Sequence, residues 1–458
     1  MKCKILVCFV AVFLFSSCQK DGPVTDPSNG LKPNLVSNFD SEIIRTWNDL
    51  YLTIEKDLSG FRPSATSRAI GYIQLAAYET CVPGMPGYIS NSTYQKGLKI
   101  PELKVSNSDI NWNVALNACY STMLRQMMLQ TTASQNALIA KTESEMNTHL
   151  RSTTFGDVFD NSVEWGRSVA QSVLVFAGSD EEGYSQVLNP FPASYVPPTG
   201  QGKWEPTAPN FTPALFPYWG KARVFAARPE DLVSPEPLPF STSESSEYYR
   251  QHKQLNDMVT NLTHENRWIA EFWSDDIVGL TFSPPARLIA IANQMLILEN
   301  MNLADGLHLY CKLGLAINAA SVAAWNSKYI YNTERPETYI KKYINPGFES
   351  ILGEAIGKRG IEPPFPGYPS GHSTFGGVQA GIFNEFFGPV YTFTDNCHKD
   401  RTEFLGQPRT FTTWNQMAEE NAYSRIPLGV HIKMDCDEGL RLGHLIAARV
   451  NAYKLRYN

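Results

Sequence analysis

Apolar residues return every three or four positions along most of this chain, the period of a helix that buries one face. The segments Ile44–Leu58, Ser67–Thr80, Asn111–Met128, Ser134–His149 and Val158–Ala177 carry that pattern with little Gly or Pro inside them. From Gly178 to Pro239 it gives way to Pro, Gly and aromatic residues, as in Gly200-Gln-Gly-Lys-Trp-Glu-Pro206 and Phe216-Pro-Tyr-Trp219. Irregular segments of that length inside a domain usually serve function. The helical period resumes over Ser243–Leu262, His264–Trp273, Ala286–Leu303 and Gly306–Tyr329, and pauses at a Pro/Gly-rich stretch, Glu362–Ser370. It returns in Thr374–Phe387, Thr413–Tyr423 and His431–Tyr453. There is no internal repeat and no long block of like charge. After Cys18, no run of 18 or more residues lacks polar breaks, so none is expected to cross a membrane. The pattern predicts an all-α protein, a single large helical domain over residues 41–458 with long Pro/Gly-rich loops over one face.

The N-terminus follows another logic. Lys2 and Lys4 precede an apolar run, Ile5–Phe15, and then Ser16-Ser17-Cys18. The run is short for a spanning helix, which takes roughly 20 apolar residues. A charged start, a short apolar run and small residues make an export signal, and the Cys directly after them resembles a bacterial lipobox. This predicts a lipoprotein signal peptide over 1–17, lipidation of Cys18, and a polar flexible tether over 18–40. An ordinary secretory signal with an incidental Cys is the alternative. The expected location is exported and lipid-anchored in a Gram-negative bacterium, at the outer membrane on its periplasmic face or at the cell surface. Of the other cysteines, Cys81, Cys119, Cys311, Cys397 and Cys436 are scattered with no CxxC pair, which argues against a zinc ribbon or a disulfide framework. Buried free thiols are expected, and a single bridge, if present, would join Cys397 to Cys436.

Composition narrows the class further. With 43% apolar and 18% charged residues among 458, the chain has enough apolar material for a sizeable core and is not a disordered one. A net charge of −6 gives no global attraction to nucleic acid, so any strong positive field must be local. The 12% aromatic content suits deep pockets or thick helical packing.

Three blocks in the second half supply such a local field. Lys328 and Arg335-Pro336 are seven residues apart, close to two helical turns, so both cations can point one way if a helix persists between them. Two like charges on one face repel unless an anion lies between them. The second block, Pro369-Ser370-Gly371-His372, is a small-residue turn ahead of an apolar helix. Such a turn offers free backbone N–H groups to an anion, with the positive end of the helix dipole behind them. Ser370 adds a hydroxyl, Gly371 permits close approach, and His372 stands beside whatever is bound. In the third block Arg425 follows Ser424, and His431 and Asp435 are four apart, neighbours on one face if helical. A carboxylate there keeps one imidazole nitrogen protonated and leaves the other free as nucleophile or ligand. Each block alone also has an ordinary reading, as a solvated face, a helix cap or a surface pair.

Their order and spacing together, K-x6-R-P, then P-S-G-H, then S-R-x5-H-x3-D, resemble the signature of one superfamily. It joins vanadium-dependent haloperoxidases to type-2 phosphatidic acid phosphatases and bacterial class A acid phosphatases, and every signature position is filled. The resemblance implies the helical-bundle fold of that superfamily, with the oxyanion-site core at about 284–453, and a site for vanadate or for phosphate in the same place. It implies that Lys328, Arg335 and Arg425 neutralise the oxyanion, and that Ser370 and the Gly371 N–H donate to it. His431 would bond to vanadium, or attack phosphorus to form a phosphohistidine, with Asp435 orienting it. His372 would be the acid/base at the opposite apical oxygen.

Three functions compete. A vanadate-dependent haloperoxidase would oxidise a halide with hydrogen peroxide, iodide or bromide ranked before chloride. A metal-independent acid phosphatase would hydrolyse a phosphomonoester through His431. A lipid-anchored nutrient-binding protein would give those cations and histidines no reason to converge. Trp325 and Phe365 resemble the aromatics that line the vanadate pocket of chloro- and iodoperoxidases, although core packing would also explain them. Algal bromoperoxidases place a second histidine where this chain has Phe365. Class A acid phosphatases are much shorter, and the lipid phosphatases are multi-spanning. Arg68-Ala-Ile, Ala76-Ala-Tyr78, Gly202-Lys-Trp-Glu-Pro206 and Phe272-Trp273 resemble the first half of bacterial haloperoxidase-like proteins. The first function is the expectation. Asp275-Asp276 can orient a cage cation or simply end a helix, and Lys203-Trp-Glu-Pro206 can roof the pocket or pack as a surface loop. His149, His252, His264, His308, His398 and His444 are expected to be structural or exposed.

Overall fold

Side-chain caps start many of the helices that the apolar period predicts. The computed structural model describes residues 34–208 and 210–457. Its first half holds α1 (Glu42–Glu55), α2 (Ser64–Cys81), α3 (Trp112–Met127), α4 (Ala133–Arg151), α5 (Asp157–Gly178) and α6 (Glu181–Leu188). The second half holds α7 (Glu247–Thr260), α8 (His264–Phe272), α9 (Pro284–Leu298), α10 (Leu303–Tyr331), α11 (Pro336–Tyr343), α12 (Gly371–Phe387), α13 (Trp414–Leu428) and α14 (Lys433–Asn451). Asn111, Thr132, Ser246, Thr263, Asn302, Ser370 and Thr413 each accept a backbone N–H of the first turn they precede. Pro284 and Pro336 open their helices at the position where a missing N–H is harmless.

The long α10 is the axis of the fold. It packs against α2 on the side of the first half and against α12 and α14 in the second. By length and composition α10 could cross a membrane, yet nearly all of it is buried within the protein, with Lys312, Asn318 and Lys328 inside too. It is a core helix. Around it α2, α3 and α5 form one group and α12, α13 and α14 another. α12 and α14 approach closely where Gly377 faces Gly443: a Cβ on Gly377 would sit 2.6 Å from the Leu440 carbonyl, and one on Gly443 would strike the Thr374 carbonyl. Gly443→Ala must push two backbones apart, and about 2–3 kcal/mol of destabilisation is expected in urea unfolding, the range of core overpacking.

Several expectations need correction. The period does not announce α6 or α11, eight-residue helices inside loop-like sequence. A short antiparallel pair, β1 (Phe393–Asp395) with β2 (Arg409–Phe411), interrupts the all-helical second half. The polar tether was expected to reach residue 40, but residues 34–40 pack on the body. Asn34 donates to the carbonyls of Asn107 and Ile110, Val36 is fully buried, and Asp40 pairs with Asn302. The signal peptide, Cys18 and the tether up to residue 33 lie outside the described residues. Cys81, Cys119, Cys311, Cys397 and Cys436 are all free, so Cys397 and Cys436 are not bridged.

Candidate active site

The two cations of the first block converge, but not along one helix. Lys328 is in the last turn of α10, which stops at Asn332 in the left-handed conformation (φ 53°). Arg335 then caps α11. A turn, rather than two helical turns, brings them together. That turn is held by the loop around Trp204: the Trp204 N–H donates to the Asn332 carbonyl (2.8 Å), and Lys203 Nζ to the Tyr331 carbonyl (2.9 Å). Lys203-Trp-Glu-Pro206 therefore props the site from behind and is not among the cavity walls.

Both cations are fully buried. Lys328 Nζ donates to the carbonyls of Pro366 and Gly367, each at 2.8 Å, leaving one of its three N–H groups over. Arg335 donates through Nε to the Phe365 carbonyl (2.9 Å) and through Nη1 to the Val430 carbonyl (3.2 Å), while Nη2 has no partner. Phe365 covers both, its ring centroid 5.2 Å from Lys328 Nζ and 4.9 Å from Arg335 Cζ, and packs against Trp325 with the rings tilted by 51° and their centroids 5.0 Å apart. The two aromatics thus screen the cations from water as well as packing.

Ser370 is the N-cap of α12, its Oγ accepting from the Ser373 N–H and its own N–H donating to the Asp435 carbonyl (2.9 Å). Gly371 lies under Trp325, where a Cβ would come 3.4 Å from the ring. His372 follows, its Nε2 unpartnered except for the Asp276 carboxylate at 3.7 Å.

His431 and Asp435 meet as expected, for a different reason. His431 precedes α14 rather than lying on it, and Asp435 is in the first turn, where its Oδ2 accepts from the Ile432 N–H (3.3 Å) and faces His431 Nδ1 (3.0 Å). With Nδ1–H donating to the carboxylate, Nε2 is the bare nitrogen, and Arg335 Nη1 donates to it at 3.2 Å. Arg425 ends α13, bound through Nη2 to Asp276 at 2.9 Å, with Nε and Nη1 unpartnered. Asp276, in the loop after α8, thus orients a cage cation. Its neighbour Asp275, also in the cavity wall, pairs instead with Arg287 at 2.9 Å and His398 at 3.0 Å. His398 is therefore a buried structural group, and so is His252, which burial pushes down to about 4.

These parts surround one cavity of about 220 Å³, walled by Trp325, Phe365, Gly371, His372, Arg425 and His431, with apolar walls from Phe191, Leu215 and Ile277. Lys328, Arg335, Ser370 and Asp435 stand directly behind those walls, through the bonds given above. The electrostatics show what is missing from the balance. Burial pushes Lys328 well below its ordinary value, with Arg335 adding to the effect, and brings Arg335 itself down to about 10. Burial and the cations Arg335, Lys328 and Arg425 lower His431, while burial and Arg425 lower His372 to about 3. Burial raises Asp435, against Lys328 and Arg335. Several buried donors aim at no acceptor, and Lys328 and Arg335 are each destabilised by neighbouring cations. A tetrahedral oxyanion of high charge supplies both acceptors and countercharge.

Sequence reasoning missed Arg62 and Glu362, which also line the cavity, and gave Asp276 only as one of two readings. Arg62 comes from far up the chain and carries no local signal. The Pro/Gly-rich texture of residues 362–370 marks the loop but not the role of its one acid.

Known proteins share both parts of this chain. Residues 308–458 match the family model for the VCPO second helical-bundle domain. A vanadium chloroperoxidase of Curvularia inaequalis is 24% identical over 496 aligned positions, covering 87% of this chain and 79% of that protein. A vanadium-dependent bromoperoxidase of Ascophyllum nodosum is 34% identical over 98 residues, 19% of this chain and 17% of that one. Among solved structures, a bacterial vanadium-dependent iodoperoxidase superposes with a TM-score of 0.78 at 24% identity, covering 91% of this chain and 96% of the other. A holo-type bacterial vanadium-dependent chloroperoxidase does so with a TM-score of 0.68 at 17% identity, covering 90% and 97%. These superpositions establish the fold.

Proposed function

We propose that this chain is a vanadium haloperoxidase, a reading supported by its matches to that family, and that it holds vanadate in the cage described above and oxidises a halide with hydrogen peroxide. The observation that carries this reading is the set of buried donors without acceptors: Arg335 Nη2, Arg425 Nε and Nη1, and His372 Nε2. The overall change is halide plus hydrogen peroxide plus one proton giving hypohalous acid and water, two electrons passing from halide to the peroxide oxygen–oxygen bond. When bound, vanadate supplies the Lewis acidity that makes peroxide electrophilic.

The residues of the chain do the rest. Arg335, Arg425 and the spare N–H of Lys328 hold the oxyanion and spread its charge. Ser370 and the Gly371 N–H add donors at the start of α12. His431 offers Nε2 as the ligand because Asp435 keeps the proton on Nδ1. His372 holds or gives a proton at Nε2; it is neutral without the anion, and a nearby negative charge raises its basicity. Iodide or bromide precedes chloride in this reading.

Export and anchoring belong to the same proposal. Lys2, Lys4, the Ile5–Phe15 run and Ser16-Ser17-Cys18 support a lipidated protein outside the cytoplasm.

The test is to add orthovanadate to the purified chain and follow iodide and bromide oxidation by peroxide beside p-nitrophenyl phosphate hydrolysis. Vanadate-dependent halide oxidation is expected. Phosphate-ester hydrolysis that vanadate inhibits, without halide turnover, would instead make the protein a phosphatase working through His431. Vanadate at about a hundred times its Kd should also raise the unfolding free energy by about 2.7 kcal/mol, readable as a shift in Tm.

A further inference from the structure

Three acidic side chains line the cavity, and two have cations on them: Asp275 meets Arg287 and His398, and Asp276 meets Arg425. Glu362 has none. It sits in the loop ahead of Ser370, both carboxyl oxygens are buried, and neither has a hydrogen-bond donor in good geometry. The group packed against it is another carboxyl, Glu337 of α11, with the Ser350 hydroxyl alongside. Glu337 uses Oε1 to hold Lys341 Nζ at 2.6 Å, and its buried Oε2 also lacks a donor. Two carboxyl groups in contact, with no donor between them, form a hydrogen bond only when one carries a proton.

We propose that Glu362, sharing one proton with Glu337 in the cavity wall, governs entry of the halide: the pair admits the anion while it holds the proton and repels it once the proton is lost. This rests on the haloperoxidase reading, because a halide is the ion it discriminates. The charges around the pair fit the role. Arg335, at the N-cap of α11, is the cation that faces Glu362; its Nε and Nη1 donate to the Phe365 and Val430 carbonyls and to His431, and no hydrogen bond joins its free Nη2 to Glu362. Across the cavity, Arg62 is bound to backbone carbonyls and Glu55. Arg425 is bound to Asp276, and His372 and His431 are neutral in the absence of an oxyanion. Burial first, and Glu337 next, push Glu362 well above the ordinary carboxyl range, with Arg335 opposing. An oxyanion in the cage adds negative charge and favours the protonated pair further. Loss of the proton places a full charge in a wall of low dielectric beside the route of a monovalent anion, an effect of roughly tenfold or more on its affinity.

The test begins with the full chain free of vanadate. Iodide entry is read as quenching of Trp325 fluorescence, taken as the difference from Trp325→Phe. In the wild type the quenching constant should fall by roughly tenfold from neutral to alkaline pH, and in Glu362→Gln it should stay flat. Glu337→Gln leaves Glu362 without its carboxyl neighbour, so the fall should move to lower pH. With vanadate and peroxide, the wild-type KM for iodide should rise over the same range with little change in kcat, and that rise should vanish in Glu362→Gln. A Glu362→Gln profile that follows the wild type, together with an unmoved Glu337→Gln profile, overturns the proposal. If the loaded wild type oxidises no halide, the haloperoxidase reading fails, while the quenching result still decides the role of Glu362.

Discussion

His431→Ala is expected to abolish vanadate-dependent halide oxidation, a fall of roughly a thousandfold or more in kcat/KM, with vanadate no longer raising Tm. His431 Nε2 is the imidazole nitrogen that Asp435, holding the proton on Nδ1, leaves bare, and it stands beside Arg335 Nη1. Changes to groups that merely orient a ligand cost about 10–100-fold in metal affinity; loss of the ligand itself costs more. Folding should survive, because the imidazole is neutral and its neighbours keep other partners, Asp435 Oδ2 the Ile432 N–H and Arg335 Nη1 the Val430 carbonyl. A variant that folds and still takes up vanadate with wild-type affinity would transfer the ligand role away from His431. Asp435→Asn offers the intermediate case. It keeps shape but offers Nδ1 no anion, and a loss of about 10–100-fold is expected, measured by vanadate titration.

Asp276→Ala should have the largest effect on stability. Its carboxylate is the partner of Arg425 at 2.9 Å, and the guanidinium is 1% exposed with two nitrogens already unpartnered. Removing one member of a buried pair strands the other, at about 3–5 kcal/mol. Urea unfolding of the vanadate-free protein measures this directly. The deficit should shrink when vanadate is added, since the oxyanion gives Arg425 a new countercharge; a deficit of the same size with and without vanadate would show that the anion does not reach Arg425. The acid limb changes as well. Burial works against the charged form of Asp276, but Arg425 and His372 outweigh it and hold its pKa below 3.8. A depressed carboxyl contributes stability above its unfolded pKa, lost as pH falls through the folded value. The variant should lack that component, so its unfolding free energy depends less steeply on pH near 4 and below.

The histidines act in the same direction at milder acidity. His372, His252 and His308 all lie below 6.5 in the fold, at about 3, about 4 and about 4, chiefly through burial. The unfolded chain binds protons that the native one refuses, so stability falls as pH drops from about 6.5 toward those values.

How much of this was legible in the sequence depends on range. Helix positions came from a local signal, the apolar period; the caps at Asn111, Thr132, Ser246 and Thr263, equally local, mark the starts in the structure. The cage residues were legible because their spacing is itself a local pattern. The geometry behind the spacing was not: Lys328 and Arg335 meet through a left-handed turn at Asn332, and His431 precedes its helix. A period of 3.6 residues describes a helix and is silent about where one stops. Partners from distant segments left no trace at all. Nothing in residues 275–276 says that one carboxylate will find Arg425 and the other Arg287, and nothing in residue 362 says that it will find Glu337. Those pairings follow from how the helices stack.

The walls of the cavity come from widely separated stretches of chain. The cations, histidines and anion-binding turn lie between residues 325 and 435, whereas Arg62, Phe191, Leu215 and Ile277 reach the same space from earlier in the chain. The reaction centre and part of the wall around it are thus carried by different parts of the gene. Selection can retune which ions and molecules arrive by altering the early segments, while the reaction centre is left as it was.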